Sequence, residues 1–88
     1  MSFEKLQVWL KNFNKFNPAL DLDNAVQEFY KNLTQFKDLA QEDAETHKDL
    51  LTTLVGKMQM KLLEFCNLID VDMDEILKDK FHLLDNGS

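Results

Sequence analysis

The chain has 88 residues, 44% of them hydrophobic, with seven Phe, two Gly and one Pro. That is enough apolar matter for one small core and too little turn chemistry for a sandwich or barrel of many short strands, so the composition predicts a single all-α domain. The net charge is −6 and all ten basic residues are Lys; an acidic surface without Arg argues against nucleic acid and against an anionic membrane surface as partners.

Positions 1–40 balance five Lys against five acids, whereas 41–88 set five Lys against eleven acids, so the whole negative excess lies in the second half. No apolar run is long enough to span a bilayer, and the first residues lack a secretory pattern. The single Cys66 has no partner for an internal disulfide. That fits a reducing, cytoplasmic setting in which Cys66 serves as a small buried hydrophobe.

In chain order, Ser2 is placed to cap a first helix over about 3–16, with Phe3, Leu6, Leu10 and Phe13 on one stripe. Asn17-Pro18 is expected to end it, since the residue before proline is pushed out of the α region. A second helix over about 23–40, capped by Asp21 or Asp23, carries Leu22, Val26, Phe29, Leu33, Phe36 and Ala40 as its buried ridge. Lys31, Asn32, Gln35, Lys37 and Asp38 then make its wet side.

The polar stretch Gln41–Glu45 reads as a connection, and Thr46 with Asp49 has capping-box spacing for a third helix over about 47–69. Leu51, Val55, Met58, Leu62, Phe65 and Ile69 form its main ridge, while Leu50, Leu54, Met60, Leu63, Cys66 and Leu68 spread apolar surface over most of the remaining circumference. A helix apolar nearly all round is central or shared with a second subunit, which predicts a homodimer through this long third helix. Met58, Met60 and Phe65 are the candidate partner-binding residues. A fourth helix over about 73–84 has Asp72 as N-cap, Glu75 closing the capping box, Val71 stapled to Ile76, and Asn86-Gly87 as a left-handed stop. Its buried face is expected to be Met73, Ile76, Leu77, Phe81 and Leu84.

Catalytic motifs are sparse. Asp70, Asp72 and Asp74 have the alternation of a calcium loop, but the glycine and the bidentate Glu that such a loop requires are replaced by Glu75 and Phe81, and helix capping accounts for the same acids. His47 and His82 have no ligand at metal spacing, there is no glycine-rich phosphate loop, and the only serines stand at the chain ends. Glu42 and Glu45 share one helical face at i, i+3 and read as solvated.

The order of elements does resemble a known family. Phe3-Glu-Lys-Leu-Gln7-Val-Trp-Leu-Lys-Asn-Phe13 resembles the first helix of the MazG-like all-α nucleoside triphosphate pyrophosphohydrolases. Ala25-Val-Gln-Glu28-Phe-Tyr-Lys31-Asn-Leu33 is similar to their Glu-x-x-Glu helix, Leu54-Val-Gly-Lys57 through Ile69 to their Glu-x-x-Asp helix, and Asp70-Val-Asp72 through Phe81 to their fourth helix. The resemblance implies a four-helix, bundle-like fold and Mg²⁺ held by four carboxylates.

The four matching positions here are Glu28, Lys31, Leu54 and Lys57, one carboxylate among them. The expectation is therefore a MazG-like scaffold with no resident metal, acting by binding a nucleotide or a protein. Lys31 and Lys57 are the candidate phosphate-binding residues on this reading. Two alternatives stand beside it. One is a small acidic inhibitor, immunity or adaptor protein that engages a basic surface. The other is an active, Mg²⁺-dependent pyrophosphohydrolase.

Overall fold

The computed structural model describes the backbone of residues 3–13 and 18–83. It has four helices, α1 (Glu4–Phe13), α2 (Pro18–Asp43), α3 (Lys48–Leu68) and α4 (Met73–Phe81), with no strand among the described residues. The fold is all-helical and bundle-like. None of these helices is long and apolar enough to cross a membrane. Helices α2 and α3 form an antiparallel hairpin, while α1 packs on α3 and α4 on α1.

Helix α2 begins at Pro18, several residues earlier than the Asp21 or Asp23 cap expected from the sequence. Proline fits the first helical position because its missing N–H has no intrahelical acceptor there, so the residue read as a stop for one helix is the start of the next. Asp23 lies inside α2, where its carboxylate accepts a 2.9 Å bond from the Gln27 amide. The expected cap Ser2, the end of the first helix at 14–16, and Leu84 and Asn86-Gly87 fall outside the described residues.

The α2–α3 turn is built around Asp43. Its Oδ2 accepts the Thr46 hydroxyl at 2.7 Å, and its Oδ1 accepts the N–H groups of Glu45 at 3.1 Å and Thr46 at 3.4 Å. Those bonds, the Thr46 hydroxyl foremost, hold the Asp43 carboxyl below the ordinary carboxylate pKa. Thr46 thus turns back toward α2 rather than forward to close a box with Asp49. The residue before α3 is His47, which makes no side-chain cap.

Helix α3 ends in a Schellman motif. Asp70 takes a left-handed conformation at φ 60°, the Asp70 N–H donates to Asn67 O, and the Val71 N–H reaches Cys66 O. Asp72 then caps α4 as its sequence predicts, accepting the Glu75 N–H at 3.1 Å. Helix α4 stops at Phe81, with His82 left-handed at φ 57°. No residue of α4 is fully buried and Phe81 is exposed, so this helix lies on the molecule rather than in it.

The buried apolar set among the described residues is Leu10, Ala25, Leu54, Leu63 and Cys66. It corrects the expected ridges. On α2, Val26 and Leu33 are 51% and 46% exposed, while Ala25 and Asn32 are buried. On α3, Val55, Leu62 and Ile69 are exposed, while Leu54 and Leu63 are buried. On α2 burial falls one position before Val26 and Leu33, whereas on α3 it falls on both sides of the ridge, one position before Val55 and one after Leu62. Ala25 is 1% exposed, and Phe29 meets Phe65 with ring centroids 5.6 Å apart.

Candidate functional site

The four positions matched to the family motif lie on the hairpin. Glu28 and Lys31 are exposed on α2, and Lys57 is exposed on α3. Leu54 is 4% exposed and belongs to the core. Phe29 opposite Phe65 fixes the antiparallel register, so Lys57 lies across from about position 37. At 1.5 Å rise per residue this separates Lys57 from Glu28 by roughly 14 Å and from Lys31 by roughly 9 Å along the axis. No group of three or more His, Cys, Asp or Glu able to hold a cation occurs among the described residues. The donor set of a Mg²⁺ site, several oxygens converging at about 2 Å, does not fit these four side chains.

The partner-binding candidates Met58, Met60 and Phe65 are all half-buried. Phe65 spends one face on Phe29. The exposed large apolar residues of α3 are instead Leu50, Val55 and Leu62, with Ile69 exposed just past its end. Glu42 and Glu45 are exposed, and Glu42 lies 3.8 Å from His47 Nε2.

A feature that sequence reasoning missed is the junction of α1, α3 and α4, organised by Gln7. This amide is 7% exposed. Its Nε2 donates to Val71 O at 2.7 Å, its Oε1 accepts the Met73 N–H at 3.0 Å, and its own backbone carbonyl accepts the Asn67 side chain at 2.9 Å. Asp74 completes the joint by accepting the N–H groups of Phe3 at 2.8 Å and Glu4 at 3.1 Å, so a residue of α4 caps the N-terminus of α1. The Asp72 and Asp74 carboxylates therefore do the structural work of capping. The only sequence signal for Gln7 was a polar residue next to an apolar stripe, which does not specify partners some sixty residues away.

Beside this junction opens a cleft of about 450 Å³, with Val8 of α1, Cys66 of α3 and Ile76 of α4 in its lining. Five acids line it, Glu4, Asp70, Asp72, Glu75 and Asp79, against Lys11 and Lys80. The Cys66 thiol is 4% exposed, and burial first, then the negative charge of Asp72, push its pKa up. A thiol held protonated is a poor nucleophile, which agrees with a packing role. The cleft is thus an acidic recess.

In comparisons with known proteins, no family model, no curated protein and no solved structure matches this chain.

Proposed function

We propose that this protein works by binding rather than by catalysis, as a dimer on a MazG-like scaffold from which the acidic Mg²⁺ quartet has been lost. One observation carries the non-catalytic part: of the four positions matched to the family motif only Glu28 is a carboxylate, and Leu54 is packed into the core at 4% exposure. Restoring a ligand at that position would put a carboxylate where an aliphatic side chain now seals the hairpin, at a desolvation cost that packing does not offset. Lys31 and Lys57 are exposed ammonium groups that repel a dication and attract phosphate. A nucleotide is on this reading a ligand rather than a substrate.

A second reading, an acidic adaptor that docks on a basic protein surface, is favoured by the five-acid lining of the α1–α4 cleft. A pyrophosphate-release assay over ribo- and deoxyribonucleoside triphosphates, with Mg²⁺ and then Mn²⁺, separates catalysis from binding. The expected outcome is no turnover, together with a nucleotide-dependent rise in melting temperature that Lys31→Ala or Lys57→Ala reduces. Turnover that Glu28→Gln abolishes would restore the enzyme reading. Silence in both assays, with salt-sensitive binding to a polylysine probe, would favour the acidic adaptor.

A further inference from the structure

The four helices are of two kinds. Helices α2 and α3 run for 26 and 21 residues and pack along each other, whereas α1 and α4 have 10 and 9. A helix shorter than about 12 residues is marginal by itself in water, so α1 and α4 owe their helicity to what they dock on. Among the described residues α1 buries only Gln7 and Leu10, and α4 buries none.

Their attachment is mutual. Helix α4 packs on α1, and among the described residues it makes no comparable contact with α2 or α3. The bonds that hold α1 run to the α3–α4 link and the start of α4. Asp74 accepts the N–H groups of Phe3 and Glu4, while the Gln7 amide donates to Val71 O and accepts the Met73 N–H. A further bond reaches the last turn of α3, from the Asn67 side chain to the Gln7 carbonyl. Helix α1 therefore loses its cap when α4 leaves, and α4 loses its packing surface when α1 leaves. Elements coupled in this way open in one step rather than separately.

We propose that α1 and α4 form a clasp, which opens from the α2–α3 hairpin as one unit while the hairpin stays folded. Polar ties suit such a device, because each is exchanged for a bond to water on opening and the net loss per bond is small. The hairpin keeps its own contacts. Phe29 on Phe65 and the Asp43–Thr46 turn involve no residue of α1 or α4.

Opening changes the surroundings of Cys66. This thiol is 4% exposed and lines the cleft together with Val8 and Lys11 of α1 and Ile76 and Asp79 of α4. Release of the clasp uncovers the α3 face that carries it. Cys66 thus reports opening in the absence of any ligand, which keeps the clasp separate from the binding reading above.

The test is iodoacetamide labelling of Cys66 in the full chain, at urea concentrations below the unfolding transition, paired with native-state hydrogen exchange. Labelling is expected to vary much less steeply with urea than global unfolding does, since clasp opening exposes only part of the buried surface. The amides of α1 and α4 should share one opening free energy, below that of α2 and α3. Gln7→Leu should speed labelling by about five- to a hundredfold, because it leaves Val71 O and the Met73 N–H unpaired in the closed form. Asp43→Ala weakens the α2–α3 turn, so it should lower the global urea midpoint and leave labelling without urea unchanged. Should Gln7→Leu fail to fold, the urea dependence of the wild type still decides. Labelling as steep in urea as global unfolding, equal acceleration by both variants, or separate opening of α1 and α4 would each overturn the clasp.

Discussion

At the scale of single residues, Gln7 links parts of the chain that neither helix periodicity nor composition connects. Its amide, 7% exposed, satisfies two backbone groups of the α3–α4 link, Val71 O and the Met73 N–H, through part-buried bonds. Replacing it by an apolar isostere leaves both groups without a partner, and each buried, unsatisfied group costs about 1–3 kcal/mol. Gln7→Leu is expected to lower the urea midpoint accordingly, with hydrogen-exchange protection lost first in α1 and α4. An unchanged midpoint would show that water replaces the amide at no cost. The nearby Cys66 is a contrasting case, for its burial was legible from its chemistry alone: a lone cysteine on a nearly all-apolar helix is most simply a small hydrophobe.

Helix ends carry the next level of argument. The sequence signal for α4 was strong because a cap is local: Asp72 and the Glu75 N–H are three residues apart and meet wherever the helix forms. The signals at the other ends were ambiguous. Pro18 is compatible both with the end of α1 and with the beginning of α2, and Thr46 found a nearer partner in Asp43 than in Asp49. Asp70 shows what the Schellman motif demands, since its φ of 60° suits glycine better than any residue with a Cβ. Asp70→Gly is expected to stabilise the protein by about 1 kcal/mol through relief of that left-handed conformation. Chemical denaturation compares the two directly, and a destabilised glycine variant would mean that the Asp70 side chain contributes more than its backbone strain costs.

For the molecule as a whole, the imbalance between apolar content and buried core dominates. Hydrophobic residues make up 44% of the chain, yet few are buried in one copy. Leu63 is the largest fully buried side chain among the described residues, at 0% exposure. With so small a core, Leu63→Ala is expected to cost about 2–5 kcal/mol, a large share of the roughly 5–15 kcal/mol that holds a typical domain together. Thermal melting of the variant checks this, and a loss under 1 kcal/mol would place the stabilising contacts elsewhere. The exposed large hydrophobics are spread over the molecule, with Val8 and Trp9 on α1, Val26, Tyr30 and Leu33 on α2, Leu50, Val55 and Leu62 on α3, and Phe81 on α4.

The amino-acid sequence by itself determined that the chain is helical, that it has four helices, and that α4 begins at an Asp72 cap, because periodicity and capping are properties of neighbours a few residues apart. Only the tertiary structure decided which part of each broad apolar stripe meets its neighbour. Where a helix is apolar over most of its circumference, periodicity leaves the rotation free by one or two positions, and tertiary contacts such as Phe29 against Phe65 set it. Tertiary structure likewise decided that Gln7 and Asp74 tie α1 to α4, because a hydrogen bond across seventy residues leaves no trace in local spacing.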